Sequence, residues 1–175
     1  MKKILFITIL SIFNFSYSQT SNENLNSQLQ LMKKYFLVED YAKFANFTNP
    51  KIIEMFGGKA KMNETTKNLM LKMKDEGFSF IDINFKDPSK FIKKGNEIQF
   101  TITQQLLMNT PNGKLVGNST LIGISKDNGK NWTFIDSAGK SKEAIRKIFP
   151  NMSPNLVLIP KKQEMVEDNF NFNKS

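Results

Sequence analysis

The chain has 175 residues and a formal charge of +9, with 25 Lys and Arg against 16 Asp and Glu, and it contains neither Cys nor His. The absence of Cys excludes disulfides, so stability rests on packing, and the absence of His removes the commonest zinc and copper ligand and the usual neutral-pH general base. Arg146 is the sole arginine, which speaks against a specific phosphate reader built on bidentate guanidinium forks.

The first residues form a three-part address. Met1-Lys2-Lys3 is positive, residues 4–13 are an apolar run, and Ser16 and Ser18 put small residues at −3 and −1. This predicts a signal peptide over residues 1–18, cleaved before Gln19. The apolar run is about half the length of the roughly 20 residues that a membrane span needs, and no Cys follows it to carry a lipid, so no membrane anchor is expected. The mature chain is expected in the periplasm or outside the cell. Its lysines are scattered without a long block. The charge therefore reads as solubility with no specific nucleic-acid partner, and weak attraction to polyanions is the sharper alternative.

Residues 19–24 are polar and aperiodic and read as a flexible leader. Leu25, Leu29, Met32 and Phe36 then recur at helical spacing, and Tyr41, Phe44 and Ala45 continue after Glu39-Asp40, so the first helix bends or restarts near Val38. Asn49-Pro50 starts a short helix and Gly57-Gly58 ends it. A third helix carries Met62, Leu69, Met70 and Met73 on one side and stops at Gly77; its methionines read as adaptable core filler.

After Gly77 the period changes to two. Residues 78–85 read as a strand, and Phe91 and Ile92 dock back after Asp87-Pro88. Ile98, Phe100, Ile102, Gln104, Leu106 and Met108 alternate with Gln99, Thr101, Thr103, Gln105 and Leu107, which predicts a long strand with the first set toward the core. Asn112-Gly113 is a hairpin signal joining it to residues 115–125, and a second hairpin leads through Asp127-Asn128-Gly129 into residues 131–136. Ser141 caps a late helix stopped by Pro150. Residues 156–159 read as an edge strand, and residues 161–175 as a polar, frayed tail. The result is a single α+β domain over residues 25–160, with N-terminal helices packed on a curved antiparallel sheet of about four strands and a late C-terminal helix.

Ser125, Asp127, Gly129 and Trp132 fit S-x-D-x-G-x-x-W, which looks like the Asp-box of β-propellers, a hairpin closure rather than a catalytic device. One box and few strands do not make a propeller, and Lys126 and Lys130 with no following Glu oppose a calcium loop. No metal site and no cofactor are expected.

Asp40-Tyr41 with Phe44, Thr48 with Pro50, and Gly57-Gly58 with Met62 form a D-Y-x-x-F, T-x-P, G-G-x-x-x-M run. This run, with residues 125–134 and 148–150, resembles small exported bacterial domains of the NTF2-like (cystatin-like cone) superfamily. The resemblance implies a cone whose interior holds a small apolar ligand or none. It also implies that such a protein often dimerises through the outer sheet face, here Gln99, Thr101, Thr103 and Gln105. Enzymes of that superfamily use an Asp or His base with a Tyr or Asp donor.

Read directly, Gln104 is the one polar interruption on an apolar strand face; it bonds backbone at a bulge or points into a wet pocket. Asp136 shares a face with Trp132 and Phe134 and is either a solvated turn residue or a base above an apolar pocket. Tyr35 and Tyr41 read as aromatics at the core rim. Tyr41, Gln104, Trp132 and Asp136 are thus the candidate ligand contacts. A full set of folding signals beside an absent set of catalytic ones favours a non-enzymatic binding or interaction domain. The alternatives are a small isomerase or dehydratase using Asp136 or Asp40 with a tyrosine, and a weak polyanion binder.

Overall fold

The computed structural model describes residues 23–172, so the signal peptide and its cleavage point lie outside the described residues. Helix α1 spans residues 23–37. Glu23 and Asn24, assigned above to the flexible leader, are already helical. The cause is tertiary: Asn24 Nδ2 donates to the carbonyls of Gly129 and Lys130, at 2.7 Å each, and Gln28 Oε1 accepts from the backbone N–H of Trp132 at 2.9 Å. These bonds tie the first turns to a hairpin more than a hundred positions away.

The chain restarts after a turn at residues 38–39, where Glu39 takes a positive φ of 59°. Helix α2 (Tyr41–Phe44) begins from Asp40, whose side chain accepts from Lys43 N, and runs into a 3-10 turn over Ala45–Phe47. Helix α3 (Pro50–Met55) has Asn49 as its cap and Pro50 in the first turn, where a missing N–H costs nothing. Gly57 and Gly58, at φ +84° and +105°, separate it from α4 (Lys59–Asp75). Such backbone is strained for any residue with a Cβ.

Six antiparallel strands form one open sheet, where about four were expected. Its spine is the hairpin of β3 (Glu97–Thr110) and β4 (Gly113–Ser125), in register from Ile98 opposite Ser125 to Thr110 opposite Gly113. Two short strands, β1 (Ser79–Lys86) and β2 (Ile92–Lys94), flank β3 end to end. Between them Ser89 keeps the ladder going, donating its N–H to Thr101 O while its hydroxyl accepts from Thr101 N. On the other side β5 (Thr133–Asp136) and β6 (Lys162–Val166) flank β4.

Strand β6 corrects the expectation of a frayed tail. Residues 156–159, expected as an edge strand, form none: Leu156 is buried while Val157 is exposed, and Ile159 N donates to the Thr120 hydroxyl instead of to a strand backbone. Helix α5 (Lys142–Ile148), capped by Ser141, lies between β5 and β6 and is therefore not the last element.

Both sheet faces are covered. On one, Leu25, Leu29 and Met32 of α1 meet Phe100, Ile102, Leu121, Trp132 and Phe134, each fully buried large side chain being worth roughly 1.5–3 kcal/mol of transfer energy. On the other, Ile145, Met152 and Leu156 pack on Ile122, Ile124 and Ile135, and Phe172 packs on Leu107 and Val116. The polar set on β3, expected to stay wet or to meet a second copy, lies on this second face. Gln99 is 1% exposed; its amide donates to Asn151 O at 3.1 Å and accepts from Ser153 N at 2.8 Å. The returning chain after β5 occupies the face assigned to a dimer.

Candidate functional site

The Ser125–Trp132 turn is held by its own side chains. Ser125 Oγ lies 2.9 Å from Asp127 Oδ1 and accepts from Gly129 N at 2.8 Å, and the Asp127 carboxylate accepts from Asn131 N and Nδ2 at 2.8 and 2.6 Å. Partial burial pushes the Asp127 carboxyl up, and the bonds from Asn131 and Ser125 outweigh it, so the net direction is below the usual value. Gly129 takes the φ of +85° that the turn needs. Trp132, 2% exposed, stands edge-on to Phe100 with centroids 5.1 Å apart and stacks on Phe91 at 5.5 Å. This segment closes a hairpin and anchors a core.

Gln104 and Asp136 come together across the sheet, Gln104 Nε2 donating to Asp136 Oδ2 at 3.2 Å. Asp136 Oδ1 accepts from Ala138 N at 2.8 Å. Register produces the pair: Ile102, Leu121 and Asp136 form one cross-strand row, and Gln104 and Ser119 the next. Gln104 therefore neither bonds the backbone at a bulge nor stands alone. It links β3 to the end of β5.

Asp136 and Ser119 stand at the polar end of a cavity of about 250 Å³, together with Lys161 and Gln163. Met73, Phe80, Leu106, Met108 and Leu115 make its apolar walls, and Gly117 leaves bare backbone among them. Ser119 is 7% exposed, and its hydroxyl is buried without a hydrogen-bond partner. The Asn118 amide oxygen, on another residue lining this cavity, and buried polar atoms of Gln105, Trp132 and Ser137 likewise lack a partner among the described residues. An orphaned hydroxyl costs about 1–3 kcal/mol against a satisfied one, so a polar atom entering beside Ser119 finds a free partner there.

Tyr41 lines a second cavity of about 130 Å³ with Phe36, Met70, Phe78 and the charged Glu39 and Lys74. Burial, and then the nearby Glu39 charge, raise its hydroxyl above the ordinary value. Asp40 beside it is committed elsewhere: the Lys43 ammonium and backbone N–H hold its carboxyl below the usual range. Met73 and Phe80 line both cavities. Of the four candidate contacts, Gln104 and Asp136 are joined but only Asp136 lines the larger cavity, Tyr41 lines the smaller one, and Gln104 and Trp132 line neither.

Sequence reasoning missed Ser119, although the signal existed. An Asn112-Gly113 turn sets Thr110 opposite Gly113, and counting back along both strands puts Ser119 opposite Gln104. Lys161 and Gln163 carried no such signal, because β6 was read as tail. Met70 and Met73, read as core filler, line the cavities instead. Among the described residues no group of three or more His, Cys, Asp or Glu is placed to hold a metal ion, and no helix is long and apolar enough to cross a membrane. Comparison with protein-family models, with characterised proteins and with solved structures finds no match.

Proposed function

We propose that this chain is an exported, non-enzymatic binding domain with an NTF2-like cone, whose cleft between α4 and the β3–β4–β6 end of the sheet takes a small, largely apolar ligand. The observation that carries the reading is the unpartnered Ser119 hydroxyl at the polar end of a cavity otherwise walled by Met, Phe and Leu side chains. Ligand sites have this composition, with apolar walls that supply affinity and a few polar groups that fix orientation. The basic, apolar, small-residue order of residues 1–18 supports export, and the helices-then-sheet order supports the cone.

Catalysis is the weaker reading. Asp40 is an N-cap bonded to Lys43, and both oxygens of the exposed Asp136 already accept hydrogen bonds. Neither carboxylate sits against a tyrosine hydroxyl in one cavity.

Native mass spectrometry of the mature protein, purified from its own source, tests the proposal. The expected result is a retained mass of a few hundred daltons, lost when Gly117→Leu fills the cavity. A bare polypeptide mass, together with no uptake of any apolar probe in solution, would overturn it.

A further inference from the structure

A third cavity, of about 240 Å³, opens on the other face of the sheet, where β3 and β4 meet the chain returning through residues 157–159. Thr101 and Thr103 of β3 and Thr120 of β4 form its floor, with Asp87 and Ser89 on the β3 side and Val157 and Ile159 on the β4 side. Thr103 stands opposite Thr120, about 4.5–5.5 Å away at Cβ, and Thr101 lies one strand repeat from Thr103, roughly 7 Å along β3.

These polar groups differ in what they have left to give. The Ser89 hydroxyl is used twice, accepting from Thr101 N and donating to Lys90 O. Thr120 is half used: its oxygen accepts from Ile159 N at 2.8 Å, which leaves its proton to be donated. The Thr101 and Thr103 hydroxyls and the Asp87 carboxylate have no partner among the described residues. Asp87 also takes a φ of 52° directly before Pro88. Proline pushes the residue before it toward extended backbone, so the chain accepts strain to hold this carboxylate at the cavity.

The free groups limit what can enter. Among the described residues no Lys or Arg lines the cavity; Lys86 pairs with Thr103 from β1 but is not part of the wall, and Asp87 repels an anion. A hard divalent cation wants several charged oxygens, and one carboxylate among hydroxyls is too few. An ammonium suits Asp87 but carries no acceptor, so the Thr120 proton would stay unpaired. A hydroxyl both donates and accepts, and several of them on one rigid ring reach Asp87, Thr120 and the Thr101–Thr103 pair together. Val157, 67% exposed, and Ile159, 37% exposed, offer aliphatic surface to the C–H face of such a ring. The volume is below the roughly 300–1,000 Å³ of clefts that hold drug-sized ligands, so one ring fills it.

We infer that this face carries a second ligand site, for one neutral sugar ring. Asp87 accepts from ring hydroxyls, Thr101, Thr103 and Thr120 complete the hydrogen bonds, and Val157 and Ile159 pack on the ring's C–H face. The site is independent of the Ser119 cavity, which lies across the sheet.

Methyl NMR of the Ile-, Leu-, Val- and Thr-labelled protein tests this. The neutral probes are methyl glucoside, methyl galactoside, methyl mannoside and N-acetylglucosamine; methyl glucuronide and spermidine are the charged ones. At millimolar concentration at least one neutral sugar is expected to shift the methyls of Thr103, Thr120, Val157 and Ile159, while those of Leu106 and Leu115, which line the Ser119 cavity, stay in place. Asp87→Gly suits the positive φ and removes the charged acceptor, so it should weaken that sugar about tenfold or more. Thr103→Val keeps the shape without the hydroxyl and should cost about fivefold. No shift with any neutral sugar, tighter binding of the glucuronide or of spermidine, or unchanged affinity in both variants would overturn the site.

Discussion

Gly123 sits opposite Phe100 in the β3–β4 pair, and a Cβ built on it would lie 2.0 Å from Phe100 Cε1. Phe100 has no exposed surface and is held edge-on by both Trp132 and Phe91, so its ring has nowhere to go. Gly123→Ala should therefore lower the unfolding free energy by about 2–3 kcal/mol, the usual scale of core overpacking. Gly117→Ala, whose nearest contact is an ordinary 3.7 Å to Gln163 Cγ, should be close to neutral; urea midpoints of the two variants separate the cases. Asp127 gives a pH prediction of definite sign. Its folded value lies below the ordinary 3.8, so its contribution is present above that value and is lost as pH falls through the lower folded one. Asp127→Asn should flatten this acid limb, read from urea midpoints across the acid range. At this scale much was legible. The S-x-D-x-G-x-x-W spacing specifies bonds within eight residues, whereas the Gln104–Asp136 contact needs the register of three strands. Composition put both on apolar faces but could not make them neighbours.

Helix α4 shows where local signals stop. Its ends follow from Gly57-Gly58 and Gly77, and its stripe from methionine and leucine spacing, yet what the stripe faces depends on how far the sheet extends beneath it. With one buried residue in 17, α4 should open locally at low free energy. In hydrogen exchange read by mass spectrometry, amides of residues 63–75 should exchange on the order of 100-fold faster than those of Phe100–Ile102 and Leu121–Ile124. Equal protection would mean that α4 is a core helix and that the cavities beneath it are closed. Strand β6 was missed for the opposite reason. Lys162, Gln163 and Glu164 have no strand character of their own, and the strand exists because β4 offers an unpaired edge that main-chain groups fill whatever the side chains.

For the whole molecule, the α+β class was legible because helical periodicity ends at Gly77 and two-residue periodicity begins there. The two-sided core was not. Gln99, Thr101 and Gln105 look like a solvent face, since polar side chains on alternate positions ordinarily mean one wet side. Here residues 142–172 return across that face: backbone groups of Asn151 and Ser153 satisfy Gln99, and Phe172 packs on Leu107 and Val116, while the Gln105 amide oxygen stays buried without a partner among the described residues. No count of polar residues anticipates that, because the satisfying partners are main-chain atoms some fifty positions away.

That return also sets the order in which the chain can be finished. Helix α1 has no dock until Trp132 and Gly129 exist, and Leu107 and Val116 stay uncovered until Phe172 has emerged. A polypeptide leaving the ribosome can therefore pair β3 with β4 early, but both faces of that hairpin stay bare until later segments arrive. Its earliest helix waits for the middle of the sequence, and the middle waits for nearly the last residue. Pairings so distant in sequence make for slow acquisition of structure.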